Sequence, residues 1–207
     1  VSTSDDRVTC YHQGTNGLVY EQIIIEMPSL DDELKDLLPI YTSVVTELGI
    51  GEHSYLEIQN KQSALTGGLG AYTSVKGTVD DVQNIHGIIV FSGKALARNH
   101  VVLTELLKDT VNYARFDELG RLKELVAQMR ARKEQSVTSN GHGLAMGIAS
   151  SKMSPAAYLS YQLGGVQGIK SIKALDDALS DDAALTKFAS QLQEIHRRVC
   201  QSARQYL

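Results

Sequence analysis

Two short runs of β-branched and aromatic residues open the chain. "RVTCYHQ" has strand character, and "LVYEQIIIEM" repeats it more strongly after the turn-like "GTNG". Two such runs around Asn16-Gly17 predict a β-hairpin. Ser29, followed by the acidic "DDE", is expected to cap a helical region. Ile40, Val44, Val45 and Leu48 then recur at helical spacing, and Gly49 and Gly51 end that helix. Ser54 with Glu57 three residues later is a capping box, which predicts a helix from about Tyr55 to Leu65. "TGGLGAYTSVKG" alternates as a strand with Leu69, Ala71, Thr73 and Val75 on one face. "VQNIHGIIVFSGKAL" is apolar on both faces around "IIVF" and predicts a central strand.

From there the pattern turns helical. "RNHVVLTELLKDTVNY" reads as one helix. Asp117 is expected to cap a long one with Leu119, Leu122, Val126 and Met129 inside. Ser154-Pro155 starts another. A last helix beginning near Ser180 carries the stripe Leu185, Phe188, Leu192, Ile195 and Val199. Hairpin, two helices, two strands and then four or so helices predict an α+β fold with helices on one face of a sheet. No Pro/Gly/Ser-rich linker or short repeat interrupts the chain, so residues 1–207 are expected to form a single domain.

The 207 residues suffice for a sizeable core, and the net charge of -4 gives no support to a nucleic-acid partner. The cationic stretch "RLKELVAQMRARKEQ" has Glu124 and Glu134 interleaved and reads as a solvated helix face. No run is long and apolar enough to span a bilayer, and no signal-peptide pattern opens the chain. Cys10 and Cys200 lie far apart without metal or redox spacing, and are read as reduced, partly buried thiols. Val1 rather than Met begins the chain, which suggests a piece of a longer polypeptide or a processed form.

Four constellations invite chemistry. Gly68-Leu69-Gly70 resembles the start of a dinucleotide fingerprint, but a strand continues where a helix would have to begin, so the glycines are read as close-packing backbone. His53 and Glu57 have metal-pair spacing, yet the capping box puts His53 outside the helix. His142 lies among small residues in "SNGHGLAMGIASS", suited to close packing or a helix kink. His12, His86, His100 and His196 are scattered singly and read as structural. The fourth is Val44-x-x-Glu47-Leu48, which has the spacing of the inverted zinc motif H-x-x-E-H. In that motif two histidines bind zinc and the glutamate acts as base on the metal-bound water. Val44 and Leu48 have no lone pair to donate.

The stretch "TNGLVYEQIIIEMPSLDDELKDLLPIYTSVVTELGIGEHSYLEIQNKQSALTGGLGAYTSV" resembles the insulinase/pitrilysin zinc metallopeptidases, in particular the second half of the presequence-protease branch. "FDELGRLKELVAQMRARKEQSVTSNGHGLAMGIASSKMSPAAYLSYQLGG" is similar to the same region. The resemblance implies a two-layer α+β domain with an antiparallel or mixed sheet. It implies the third of four homologous domains, one that does not catalyse: Val44, Glu47 and Leu48 fall on the zinc-motif positions. Glu118 and Glu124 lie in the region of the third ligand of active domains. No cofactor is expected in this domain, and zinc is expected in the active domain of the parent. The family's strand beside the zinc helix maps to Gly67, Gly68, Gly70, Ala71, Tyr72 and Thr73, the candidate peptide-binding residues. The implied partners are the other domains of the same polypeptide and an unfolded peptide, with neither nucleic acid nor membrane. The implied setting is cytoplasm for a bacterial protein, the favoured case, or an organelle matrix for a eukaryotic one. A structural or assembly subunit of the same fold, as in respiratory-complex core proteins, is the alternative. A self-sufficient hydrolase built on Glu47 is a third reading.

Overall fold

A computed structural model describes residues 2–5 and 8–207, the first group through its backbone. Val1 and Arg7, where the expected N-terminal strand starts, lie outside the described residues. The strands are β1 (Ser2–Asp5), β2 (Val8–Cys10), β3 (Leu18–Glu26), β4 (Leu69–Gly77), β5 (Ile85–Leu96) and β6 (Arg204–Tyr206). The helices are α1 (Asp32–Asp36), α2 (Leu38–Val44), α3 (Tyr55–Leu65), α4 (His100–Tyr113), α5 (Leu119–Ser139), α6 (Gly141–Ser150), α7 (Pro155–Gly164), α8 (Val166–Ala178) and α9 (Asp182–Gln201). The architecture is α+β, as expected. One mixed sheet runs β1-β2-β6-β3-β5-β4, antiparallel throughout except between β2 and β6.

β5 is bonded on both sides, to β3 and β4, as its doubly apolar "IIVF" predicts. Ile23 and Ile25 stand opposite Phe91 and Ile89, and all four are buried under the helical layer. Tyr20, Lys94 and Tyr72 point to the other face and are exposed. The stripe on α9 behaves as its period requires: Leu185, Phe188, Leu192, Ile195 and Val199 are all buried and join α2 and α5 in one core.

Several expectations need correction. The Asn16-Gly17 turn forms, with φ of 53° and 80°, and Leu18 N–H donates to the Thr15 carbonyl. Its flanking strands do not pair. β6 lies between them and takes the edge of β3, with Ile23 opposite Tyr206 and Ile25 opposite Arg204. Turn chemistry is local and does not report a strand that arrives from the far end of the chain. Asp31 rather than Ser29 caps α1, accepting from Leu34 N–H at 3.0 Å. Asp117 does not cap α5, because its carboxylate is held by the Arg115 guanidinium at 2.9 and 3.1 Å. Among the described residues six α-helices follow β5 rather than four or so. The extra ones include the Gly- and Ala-rich α6, which buries no residue, and α8, whose N-cap is Gly165 with no side-chain cap.

Candidate functional site

α2 ends at Val44, so Val44, Glu47 and Leu48 do not share one helix as their spacing suggests. Glu47 follows in a turn closed by its N–H to the Val44 carbonyl at 2.8 Å. Two contacts draw the chain out of helix here. Gly49 N–H donates to Glu118 Oε2 at 2.8 Å, and Tyr55 N–H donates to Oε1 of the same carboxylate at 3.1 Å. Gly49 has to be glycine, because a Cβ there would sit 2.6 Å from the His53 carbonyl oxygen. Gly51 adopts φ of +58°, a conformation glycine takes without strain. The α3 capping box then forms as predicted, with Ser54 N–H donating to Glu57 Oε2 at 2.8 Å. That hydrogen bond is the first cause holding the Glu57 carboxyl below the usual carboxylate value. His53 and Glu57 approach to 4.0 Å although they share no helix.

Val44 and Leu48 are 0% and 1% exposed and belong to the core. Glu47 turns the other way. Its Oε2 accepts from Gln59 Nε2 and lies 3.2 Å from Arg121 Nη2. Arg121 also holds Glu124 at 3.0 Å, and its guanidinium carbon lies 4.7 Å from the centre of the Tyr55 ring. Two side chains at the start of α5, Glu118 at its N-cap and Arg121 in its first turn, therefore fasten the segment after α2. Glu47 and Glu124 meet on the Arg121 guanidinium, and Glu118 is spent on the backbone N–H groups of Gly49 and Tyr55. Among the described residues no group of three His, Cys, Asp or Glu side chains is placed to hold a metal. The donor set at the motif does not fit zinc: two positions are hydrocarbon, and the carboxylate faces a guanidinium.

The solvated-face reading of "RLKELVAQMRARKEQ" missed this. The Arg121 side chain is 10% exposed, and Arg130 is tied to Glu134, Asp176 and Asp177. The Arg121–Glu124 spacing was a visible signal, but the link to Glu47 spans the fold.

The six candidate peptide-binding residues lie on or beside β4, the last strand of the sheet. Met27 N–H to the Gly87 carbonyl and Ala97 N–H to the Gly17 carbonyl turn the odd-numbered backbone groups of β5 toward β3. The even-numbered groups face β4, and Thr78 N–H to the Asn84 carbonyl continues the same phase. The register pairs Gly70 with Ser92 and Tyr72 with Val90, so these bond inward. The N–H and C=O of Leu69, Ala71 and Thr73 point out of the sheet. Gly67 is spent on packing: its N–H donates to the Lys94 carbonyl at 2.7 Å, and a Cβ would meet the Lys94 side chain at 2.9 Å. Gly68 supplies φ of +103° where the chain enters β4. Tyr72 faces the side of the sheet away from the helices. Gly70 and Ala71 line a cleft of about 320 Å³ with residues from α2 and α5. The strand set thus divides between turn, packing and cleft.

His196 is the histidine whose burial stands out. It is 3% exposed, its Nδ1 lies 2.9 Å from the Tyr41 hydroxyl, and among the described residues its Nε2 has no hydrogen-bond partner. Burial first, and Arg204 second, lower its pKa to about 4. Cys200 is half-buried and Cys10 exposed, and both are free thiols.

Residues 1–175 match the family described as peptidase M16 subfamily C associated. The chain is 26% identical over 186 residues to presequence protease 1, chloroplastic/mitochondrial, of Arabidopsis thaliana, covering 88% of this chain and 17% of that protein. It is 29% identical over 185 residues to the mitochondrial presequence protease of Danio rerio, covering 89% and 17%. It spans about a sixth of the length of these relatives. Among solved structures, a conserved protein from Enterococcus faecalis V583 matches with a TM-score of 0.57 at 12% identity, over 92% of this chain and 43% of that one, which is a likeness of fold. The resemblance carried by the motifs and the match over residues 1–175 agree: the chain belongs to the peptidase M16 subfamily C associated family.

Proposed function

We propose that this chain is a non-catalytic, peptidase-like domain of a longer zinc metallopeptidase and forms part of the wall of its peptide chamber. One observation carries the reading. At the motif positions Val44 and Leu48 are core hydrocarbon, while the Glu47 carboxylate is engaged by Arg121 and Gln59. A general base of this kind acts on a metal-activated water, and the motif has no imidazole to hold the metal, while Glu47 Oε2 is bonded to Arg121 and Gln59. Hydrolysis by zinc-activated water then belongs to another domain of the same polypeptide, and β4 offers its edge to unfolded peptide. Exposed Met146, Ile148 and Met153 around α6 form apolar surface suited to contact with a neighbouring domain. The relatives' protease names favour this role over an assembly subunit. Their mitochondrial and chloroplast names support an organelle matrix, and they lend no support to the cytoplasm expected from sequence.

The test uses the full-length parent. Glu47→Gln there should leave peptide hydrolysis within about twofold, while the 207-residue chain after zinc incubation and desalting should retain less than about a tenth of an equivalent. Loss of hydrolysis by more than about a hundredfold, in the range expected for a missing general base, or stoichiometric zinc in this chain, would overturn the proposal.

A further inference from the structure

The cleft beside β4 joins two kinds of recognition. Its β4 side is the stretch around Ala71, where backbone N–H and C=O groups point outward and, among the described residues, meet no protein hydrogen-bond partner. Its α5 side contributes Arg132 and Lys133, the end of α2 adds Thr42 and Ser43, and the turn after it adds Thr46. Arg132 stands out because the other arginines of α5, Arg121 and Arg130, are paired with acid, and Lys133 because it is partly buried where Lys123 on the same helix is exposed. Among the described residues no carboxylate lies within ion-pair distance of either. Arg132 makes only a long contact, 3.4 Å, to the Gln128 carbonyl of its own helix. Lys133 is half-buried, and burial alone pulls its ammonium below the usual lysine value, with no acidic neighbour offsetting it. A partly desolvated cation without a counter-ion is a site that an anion stabilises on arrival.

We propose that this cleft binds an extended peptide bearing a carboxylate, its backbone added to the edge of β4 and its acidic group on Lys133 and Arg132. The inference rests on the chamber-wall reading above and names the class of peptide that this wall selects. An added strand uses the outward groups of Leu69, Ala71 and Thr73 for its ladder, and alternate side chains of the peptide fall on the helix side of the sheet, where the cations stand. The choice of an acidic peptide is not a consequence of bulk charge. At a net charge of -4 the chain as a whole repels acidic peptides at long range, so a preference for one has to arise inside the cleft.

The experiment is fluorescence anisotropy on the 207-residue chain with a fluorescein-labelled octapeptide of alternating threonine and valine carrying one central glutamate, against the same peptide with glutamine, at about 0.15 M salt. The glutamate peptide should bind at least about tenfold more tightly. Lys133→Gln should remove most of that preference, and Arg132→Gln, an exposed position with little bearing on folding, should reduce it. N-methylation of alternate backbone nitrogens in the glutamate peptide should weaken binding about tenfold or more by blocking the ladder. Equal affinity for the two peptides, a preference that survives both substitutions, indifference to N-methylation, or no binding of either peptide each overturns the site and leaves the non-catalytic reading standing. Cleavage of either peptide by this chain would instead remove that reading, and the site with it.

Discussion

Acid should weaken this fold through His196. The ring is 3% exposed, and among the described residues only its Nδ1 has a hydrogen-bond partner, the Tyr41 hydroxyl at 2.9 Å. Protonation would place a charge and a second N–H among the packed rings of Tyr41 and Phe116, and the Arg204 guanidinium acts on the ring as a like charge. Burial therefore drops its pKa from the ordinary 6.5 to about 4. The sign follows from which state takes the proton first. The unfolded chain does so as pH falls through 6.5, and the native state holds out until about 4. The stabilisation is thus complete above pH 6.5 and is lost across that window as pH falls. At about 1.4 kcal/mol per pH unit the full loss is about 3 kcal/mol, a large share of the stability of a domain. Urea unfolding of the wild type and His196→Gln at several pH values between about 7.5 and 4.5 measures it. Glutamine can still bond to the Tyr41 hydroxyl but does not titrate. The variant should be weaker at neutral pH, and its stability should fall less steeply on acidification. Using the difference between the two proteins cancels the carboxylates common to both. Parallel curves for the two proteins would refute the reasoning.

Three further outcomes follow from the segment after α2. Gly49→Ala forces a Cβ to within 2.6 Å of the His53 carbonyl and should cost about 1–3 kcal/mol in chemical denaturation. Glu118→Gln sets an amide N–H₂ against a backbone donor at Gly49 or Tyr55, so it should cost about 1–3 kcal/mol and speed hydrogen exchange at those two amides before it affects α9. Rebuilding the zinc motif with Val44→His and Leu48→His should lower stability by several kcal/mol and yield no stoichiometric zinc, since both positions are core and the candidate third ligands Glu118 and Glu124 are already held by backbone N–H groups and by Arg121.

The parts of the fold legible in sequence are those whose cause is local. The capping box at Ser54 and Glu57 marked α3 to its end residues, because both partners lie within one turn. The α9 stripe and the doubly apolar β5 were equally plain, since burial imposes its period on the sequence. Most of what failed depended on distant partners, and the Asp117 cap was lost to a side chain two residues away. β6 displaced the expected hairpin from across the whole chain. Arg115 took Asp117 from its cap, and Glu118 pulled Gly49 away from the helix that the spacing of Val44 and Leu48 implies. The candidate site divided in the same way. The hydrocarbon at the motif could be read directly, but the edge position of β4, the partner of Glu47 and the cations of α5 that lack an acid are properties of assembled elements.

The acid at position 47 can be tested as a structural residue in its own right. Arg121 is the more buried partner, with a 10% exposed side chain, whereas Glu47 and Glu124 are 42% and 53% exposed. Removing Arg121 leaves two carboxylates that water can solvate, and the cost lies mainly in lost packing on Tyr55. Removing Glu47 leaves a nearly buried guanidinium with one counter-ion fewer. Because one partner stays wet, the pair itself should contribute little, and a double-mutant cycle of Glu47→Ala and Arg121→Ala should give a coupling of about 0.5–1 kcal/mol. A coupling near zero would mean that the ion pair adds nothing to stability and that Glu47 fastens nothing through Arg121. One of about 3 kcal/mol or more would mean a desolvated carboxylate, the environment of a catalytic group rather than of a fastening. The intermediate value, together with unchanged hydrolysis by the Glu47→Gln parent, makes Glu47 the anchor through which the segment after α2 is tied to α5.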